Sequence, residues 1–347
     1  MSNKAAFLET AKGELVVRDA EIAQPGEGEI LIKVHACSIQ PADAKVAKFS
    51  MIPVEYPTVL GSPVAGVVEA LGAGVSKVAV GDRVVCGTKI FSHKKAKYGG
   101  LQRFTPVDES EVIQIGDIPF TEVIPLASYT PPGALFGKLK MHYPSIPASP
   151  LPASEQGKKI LIWGGSSAMG SLSISYAKAA GYTVISTSSP HNFEILKACG
   201  ADHIFDHSDP ATIDAIRDLF PIDYWFDTIA LKSSLSGILK ILAPEGKEVT
   251  KANILMLLPL VMTGMKESDF PEGVTTQFHS FSTHAPENAE WSKYFLSRGG
   301  FLEKAIKEGV LKAVPAEVVG GLESVAEGIE KVHKGVSGKK IIVEPWA

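Results

Sequence analysis

The sequence has little of what marks secreted or nucleic-acid-binding chains. Its 347 residues include only three cysteines, Cys37, Cys86 and Cys199, whose number and spacing predict neither a disulfide framework nor a Cys-x-x-Cys zinc site. The charge sum is 34 − 38 = −4, which leaves no general basic field for nucleic acid or an anionic membrane. We therefore expect a protein of the reducing cytoplasm that binds no nucleic acid.

Long apolar runs are also absent. The most apolar segment, residues 254–265, has twelve residues and contains Pro259, whereas a membrane span needs about 20 residues. Glu9 interrupts the N-terminus before any apolar run of signal-peptide length. We expect no membrane span and no secretion signal, and we predict that residues 254–265 either form a buried helix or line a pocket.

What is present is typical of a folded protein, with 45% hydrophobic and 21% charged residues. At roughly 150 residues per domain, the length predicts two domains. Roughly the first 125 residues consist of strand and turn patterns, with strands at 29–36 and 64–71. Six prolines between residues 130 and 157 exclude a continuous helix or central strand, so residues 141–156 are predicted to be a surface connection.

From residue 158 the pattern alternates between strands and helices, which predicts a parallel, doubly wound α/β sheet. The predicted strands are 159–163, 182–187, 202–205, 224–227 and 247–250, and the helices are 171–180, 193–199, 213–219 and 234–242. Two more helical stretches, 291–308 and 322–333, and a strand at 340–343 follow.

A glycine-rich turn between the first strand and helix of this alternation indicates a nucleotide site. Gly165 and Gly170 stand where the first and third glycines of G-x-G-x-x-G belong, and Ser167 replaces the second. The Ser167 hydroxyl is able to donate to a phosphate. The alternative is a plain tight strand-to-helix turn. The candidate cofactor-binding residues are Gly164, Gly165, Ser166, Ser167, Ala168, Met169 and Gly170.

The end of the second strand favours NADPH over NADH, because it lacks the acid that binds the ribose 2′-hydroxyl in NAD sites. Hydroxyls, an amide and an imidazole accommodate a 2′-phosphate there without repelling it. The alternative is a polar turn that precedes a helix. The residues concerned are Ser188, Ser189, His191 and Asn192.

Several motifs together resemble the medium-chain dehydrogenase/reductase superfamily. They are residues 61–68, 80–84, the glycine turn and 336–343. Within that superfamily, residues 56–62, 164–167 and 188–193 are similar to fungal ToxD-like proteins, a group that includes trans-acting enoyl reductases serving polyketide synthases.

The resemblance implies a mostly-β GroES-like catalytic domain and a Rossmann domain, with hydride transfer in the cleft between them. The implied limits are 1–126 for the first segment of the catalytic domain, 127–282 for the Rossmann domain and 283–347 for a C-terminal segment that returns to the catalytic domain. Gln40 and Ser62 stand where zinc-dependent members carry ligands, so the resemblance points to the zinc-independent, quinone-reductase-like branch, with no metal.

The resemblance also supplies catalytic candidates. Residues 40–45 resemble the Asn-Pro-x-Asp-x-Lys stretch that lines the cleft, so Gln40 and Lys45 are candidates, with Lys45 able to donate to an enolate oxygen. Thr130 falls where enoyl reductases place a cleft threonine. The alternatives are a solvated surface lysine and a turn threonine. Asp43 is expected to cap a helix, and His207 stands where relatives carry a tyrosine beside the 2′-phosphate.

His35 and Cys37 lie two apart on a predicted strand, a spacing that suits a metal. No third or fourth ligand is identifiable, so strand packing is the favoured interpretation.

These observations predict an NADPH-dependent, zinc-independent reductase of a small-molecule enone or quinone. The alternatives are an aldehyde reductase, and a nucleotide-binding regulatory or scaffold protein with weak turnover. A polyketide synthase is a candidate partner, and monomer and dimer both stay open. If residues 254–262 line the pocket, Met256 and Met262 suit a long apolar substrate.

Overall fold

A computed structural model describes residues 2–279 and 281–347. The chain divides into two compact units. The first contains Met1–Ser128, Lys293–Glu308 and Pro315–Ala347, and the second contains Tyr129–Ser292 and Gly309–Val314. The domain limits 1–126, 127–282 and 283–347, which the family resemblance implies, stay a prediction.

The described residues form sixteen strands. They are β1 (Asn3–Leu8), β2 (Leu15–Ala20), β3 (Glu29–Ser38), β4 (Thr58–Val59), β5 (Val64–Leu71), β6 (Arg83–Cys86), β7 (Phe104–Asp108), β8 (Ile113–Gln114), β9 (Lys159–Trp163), β10 (Thr183–Ser188), β11 (His203–Asp206), β12 (Tyr224–Asp227), β13 (Ala252–Met256), β14 (Val274–Phe278), β15 (Ala316–Val318) and β16 (Lys340–Val343).

The same residues form eleven α-helical segments and several shorter helical turns. The segments are α1 (Pro41–Phe49), α2 (Ile90–His93), α3 (Phe120–Val123), α4 (Thr130–Pro132), α5 (Ala168–Ala179), α6 (Phe193–Cys199), α7 (Thr212–Arg217), α8 (Lys232–Leu242), α9 (Ala289–Leu296), α10 (Phe301–Lys307) and α11 (Val325–Lys334). A π-helix, Gly133–Lys138, continues α4. Among these described helices, none is long and apolar enough to cross a membrane.

The first unit is built on two sheets. One has the order β2-β1-β4, and the other has the order β15-β16-β3-β5-β6-β8, with β7 paired to β3. The central strand β3 is antiparallel to β5, β7 and β16, and its apolar residues Ile30, Ile32 and Val34 are fully buried. The mostly-β architecture predicted for this part of the chain is confirmed.

The second unit contains a six-stranded parallel sheet in the order β11-β10-β9-β12-β13-β14. Ile160, Leu161 and Ile162 of β9 are all buried, as expected for a central strand covered by helices on both faces. The predicted doubly wound parallel sheet is confirmed. Its chain order reverses between β9 and β12, and ligands of such sheets bind at the carboxyl ends of the strands at this point.

Two predictions around the apolar segment are wrong. Residues 247–250 form no strand; β13 lies five residues later, because Ile254, Leu255 and Met256 are buried between β12 and β14. The segment is also no buried helix, since β13 is followed by a loop and a short 3₁₀ turn, Leu260–Met262.

The predicted helical stretch 291–308 is two helices, α9 and α10, separated by a turn in which Gly299 has φ +67°. That left-handed conformation suits glycine and lies in the turn between the two helices. The absence of regular structure predicted for residues 141–156 is confirmed.

Candidate active site

The glycine turn between β9 and α5 is closely packed. Gly164 has φ +82°, and a Cβ atom added to it would lie 2.4 Å from Ile229 Cγ1. A Cβ on Gly165 would lie 2.2 Å from Ser186 Oγ, and the Gly165 N–H donates to Thr187 O at 2.9 Å. Side chains at these two positions would displace the turn, so the sequence needs glycine at both.

Ser167, at the position of the second glycine, is the N-cap of α5. Its Oγ accepts a hydrogen bond from Gly170 N–H at 2.9 Å and lies 3.1 Å from Thr228 Oγ1. Thr228 Oγ1 in turn lies 2.8 Å from Trp163 O and 3.0 Å from Gly164 O. The Ser167 hydroxyl therefore caps the N-terminus of α5. The sequence alone suggests only that this hydroxyl donates to a phosphate.

Thr228 contacts the candidate cofactor turn and was not among the residues predicted from the sequence. It follows β12 directly and joins that strand to the glycine turn through its hydroxyl. A hydroxyl residue just after the strand beside the switch point is the signal that points to it.

The outer surface of the turn is accessible to a ligand. Ser166, Ser167, Ala168 and Met169 are half-buried, whereas Gly164, Gly165 and Gly170 are buried. The Ala168 N–H begins the twelve-residue helix α5 and finds no acceptor among the described residues. Backbone amides at a helix N-terminus bind anions such as phosphate. A compact glycine turn with an accessible helix start fits the pyrophosphate of a dinucleotide.

The end of β10 brings some of the predicted ribose-phosphate residues together. Ser189 Oγ lies 3.2 Å from His207 Nε2, which joins the carboxyl ends of β10 and β11. His191 is exposed on a 3₁₀ turn, Pro190–Asn192, while Asn192 is buried. The structure thus brings Ser189 and His207 into contact and places Asn192 inside the protein.

An acid stands at the end of the next strand. Asp206 pairs with Ser188 in the sheet, and its Oδ1 accepts from Ser208 N–H at 2.9 Å and Ser208 Oγ at 2.7 Å. The Ser208 N–H bond lowers the pKa of Asp206, so its carboxylate is ionised. That carboxylate is bound to its own loop.

In the first unit, Gln40 begins α1 and is held on both its main chain and its side chain. Gln40 N–H donates to Asp43 Oδ2 at 2.7 Å, and its side-chain amide donates to Ser62 O. Asp43 Oδ1 accepts from Gly61 N–H at 2.9 Å. Asp43 therefore fastens the start of α1 to the loop before β5, and its predicted capping role is confirmed.

Asp43 is fully buried, and this burial raises the pKa of its carboxyl to about 6. Lys340 is buried too, and its pKa is lowered by burial to about 8, while the charge of Asp43 opposes that shift. The two buried groups of opposite charge thus interact within the first unit.

The residues at the zinc-ligand positions are occupied by hydrogen bonds. Ser62 Oγ accepts from Thr88 N–H at 3.1 Å, and Ser62 O accepts from Ser38 Oγ at 2.6 Å as well as from Gln40. Within residues 2–279 and 281–347, no cluster of three or more His, Cys, Asp or Glu has the arrangement of a metal site.

His35 and Cys37 pack against the protein, as predicted. The His35 ring stacks on Phe120 with centroids 4.7 Å apart. Cys37 is fully buried, and burial raises the pKa of its thiol.

Lys45 lies on α1 and is half-buried, and burial lowers the pKa of its ammonium group. No hydrogen bond or ion pair of that ammonium is found among the described residues. An ammonium group that is partly desolvated and unpaired is a better proton and hydrogen-bond donor than a fully solvated one. Lys45 is therefore only partly solvated, and its catalytic role stays a prediction.

Thr130 is the first residue of the short helix α4, and its role in a substrate or cofactor site stays a prediction. The helix continues into the π-helix Gly133–Lys138, against which the buried Trp291 packs. A Cβ on Gly137 would lie 2.8 Å from Trp291 Nε1, and one on Gly133 would lie 3.1 Å from Trp291 Cζ2. The two glycines make room for the indole ring, which holds the helix that begins with Thr130.

Comparison with known proteins identifies the family. Residues 26–117 match the model of the alcohol dehydrogenase GroES-like domain, and residues 168–278 match that of the zinc-binding dehydrogenases. Dehydrogenase azaJ of Aspergillus niger is 32% identical over 99% of this chain and 99% of its own length. The chain belongs to the medium-chain dehydrogenase/reductase superfamily.

Other members of this superfamily extend the comparison. Trans-enoyl reductase himH of Aspergillus japonicus is 32% identical over 91% of this chain and 89% of its own length. The crystal structure of an alcohol dehydrogenase superfamily protein from Novosphingobium aromaticivorans has a TM-score of 0.76, with 20% identity and 99% of both chains covered. That likeness shows the same fold, and the match of residues 26–117 to the GroES-like family model confirms the nature of the first unit.

Membership in the superfamily makes this chain an oxidoreductase, and the family and the parallel sheet together indicate a nicotinamide cofactor. The residues that would hold it are the glycine turn, the first turn of α5 and the ends of β10 and β11. Bound there, the cofactor would supply or accept a hydride.

Proposed function

We propose that the chain is an NADPH-dependent, zinc-independent reductase that saturates the double bond of a small α,β-unsaturated carbonyl compound, with quinones as a second class of acceptor. The observation that carries this proposal is the relative named as a trans-enoyl reductase, which is 32% identical over 91% of the chain. The hydrogen bonds that occupy Gln40 and Ser62 support it, because a neutral amide and a bonded hydroxyl are poor zinc ligands.

The chemistry requires little from the protein beyond charge stabilisation. Conjugate reduction adds a hydride, which a bound nicotinamide would supply, at the β-carbon of the enone and a proton at the α-carbon. Negative charge collects on the carbonyl oxygen during this reaction, so a hydrogen-bond donor at that atom lowers the barrier. We assign this donor role to Lys45, because its ammonium is partly desolvated and unpaired among the described residues.

Thr130 and Gln40 are proposed to orient the reactants. Thr130 is a half-buried residue at the start of α4, and we propose that its hydroxyl holds a carboxamide or a carbonyl group. Gln40 is fixed through its side-chain amide to Ser62 O, which leaves a rigid polar group at the start of α1. We further propose a synthase-bound acyl chain as one form of the substrate, on the resemblance to trans-acting enoyl reductases.

The preference for NADPH is proposed from the polar ends of β10 and β11. Ser189 and His207 are in contact there, His191 is exposed close by in sequence, and β10 itself ends without an acid. We expect NADPH to bind tighter than NADH in a fluorescence titration, and His207→Ala to weaken NADPH more than NADH. Equal affinity for the two cofactors would contradict the assignment.

The reaction is tested by product analysis. The protein, NADPH and a 2-alkenal should give the saturated aldehyde, identified by mass spectrometry, with activity unchanged by a chelator and less than one zinc per chain by elemental analysis. An allylic alcohol as product would favour the aldehyde reductase alternative. Tight NADPH binding without turnover on enones, quinones or aldehydes would favour the scaffold alternative.

A further inference from the structure

A stretch of the second unit is uncharged and apolar at the carboxyl edge of its parallel sheet. Residues 228–231 follow β12 and residues 257–264 follow β13, and neither segment contains a charged residue. Three large side chains are exposed there: Leu231 is 47%, Val261 90% and Met262 36% exposed. We name these three residues the apolar lip.

The apolar lip is connected to the glycine turn by direct contacts. Thr228 Oγ1 lies 3.0 Å from Gly164 O, and Ile229 packs so closely on Gly164 that no Cβ fits between them. The loop after β13 joins this arrangement through Gly264, where an added Cβ would lie 3.8 Å from Lys232 Cβ. The two loops and the turn therefore form one continuous edge of the second unit.

The strand order determines which loops of this edge lie on each side of the glycine turn. β10, on one side of β9, carries the candidate 2′-phosphate residues, whereas β12 and β13 lie on the other side. A dinucleotide lies across the carboxyl edge with its two halves on opposite sides of the turn. The loops of the apolar lip are consequently on the side of the reactive, nicotinamide half.

We propose that the apolar lip binds the hydrocarbon tail of the substrate, and that Val261 and Met262 determine a preference for long-chain conjugated carbonyl compounds. This inference rests on the proposed function. Exposed single apolar residues are ordinary, but here three of them flank charge-free loops beside a cofactor turn. The apolar side chains of the two loops fit a neutral hydrocarbon, with the exposed Lys232 at their border. A flexible methionine adapts to tails of different shape.

The test is a series of trans-2-alkenals from four to twelve carbons, reduced with NADPH by the full-length protein. We expect kcat/KM to rise with chain length by up to about fourfold for each methylene that is buried, from the free energy of burying a methylene. Val261→Asp should flatten this rise and leave the four-carbon substrate within about twofold of the wild-type value. Val80→Asp is the matched control, because Val80 is 61% exposed in the first unit. It should leave the whole series unchanged.

Binding is measured separately from turnover, so that failure of the tail-binding role of the lip can be told apart from failure of the proposed reductase function. Calorimetric titration of trans-2-dodecenal without cofactor should show a loss of affinity in Val261→Asp and none in Val80→Asp, with Val261→Ser as a milder variant should Val261→Asp unfold. The proposed role of the lip is overturned if all chain lengths are reduced with similar kcat/KM, or if Val261→Asp and Val80→Asp behave equally. Either result leaves the proposed function standing. Val261-dependent binding without reduction of any alkenal overturns the proposed function and supports the lip. A third outcome is that the wild type is a dimer, that Val261→Asp dissociates it, and that kcat/KM does not change with chain length. The lip would then bind a second copy of the chain, and the proposal would be overturned.

Discussion

Replacing Asp43 by asparagine is expected to remove a pH dependence from the stability of the protein. The Asp43 carboxyl is fully buried, and its pKa is raised to about 6 from an ordinary value of 3.8. The folded state therefore holds a proton that the unfolded state releases between these two values. Stability falls as pH rises through that window, because the folded state binds more protons than the unfolded state.

The size of the effect follows from the two pKa values. At about 1.4 kcal/mol for each tenfold change in proton affinity, the difference between 3.8 and about 6 corresponds to about 3 kcal/mol. Asparagine is neutral at every pH, but the Gln40 and Gly61 amides donate to different oxygens of Asp43, and asparagine keeps an acceptor for only one of them. We expect Asp43→Asn to be less stable than the wild type near pH 4, by about 1–3 kcal/mol for the unpaired amide. Relative to the wild type it should then gain up to about 3 kcal/mol between pH 4 and pH 7.

Urea unfolding of both proteins between pH 4 and pH 7.5 measures this difference. Titrating groups remote from Asp43 cancel in the comparison, whereas the buried Lys340 loses its partner charge in the variant and reduces the gain. Asp43→Ala is the control, because it removes both acceptors and leaves the amides of Gln40 and Gly61 unpaired in the interior. At about 1–3 kcal/mol for each buried donor, it should be less stable than Asp43→Asn at every pH. A difference between wild type and Asp43→Asn that does not change with pH would refute the reasoning.

Three further predictions follow from the sites. Gly165→Asp should abolish binding of NADPH and of NADH in titrations, because its Cβ would lie 2.2 Å from Ser186 Oγ and displace the turn; retained binding of either would contradict the location of the cofactor turn. Lys45→Met should lower kcat/KM for enones by about 100-fold, the scale of one lost oxyanion donor, with NADPH affinity kept within twofold; an unchanged kcat/KM would remove Lys45 from the mechanism. Gly137→Ala should cost about 1–3 kcal/mol of unfolding free energy in urea, because its Cβ would lie 2.8 Å from Trp291 Nε1, and a wild-type value would show that the π-helix shifts freely.

Local pattern in the sequence was enough to determine the fold class and the glycine turn. Strand β9 has three consecutive buried apolar residues, and the turn after it has glycines at the two positions where packing leaves no room for a Cβ. Both signals lie within a dozen residues of one another, so alternation and spacing along the chain contain them. The capping role of Asp43 is local in the same sense, since its partner Gln40 is three residues away.

Only the tertiary structure decided which distant groups meet. Asp43 also binds Gly61, eighteen residues away, and its burial beside Lys340 sets its pKa. The contact of Ser189 with His207 depends on the pairing of β10 with β11. The apolar segment that contains Val261 has the composition of a buried element, yet β13 takes its first part into the sheet and leaves Val261 exposed at the edge. Composition measures how much apolar surface a segment has, whereas the neighbours that cover it come from strands and helices far away in the chain.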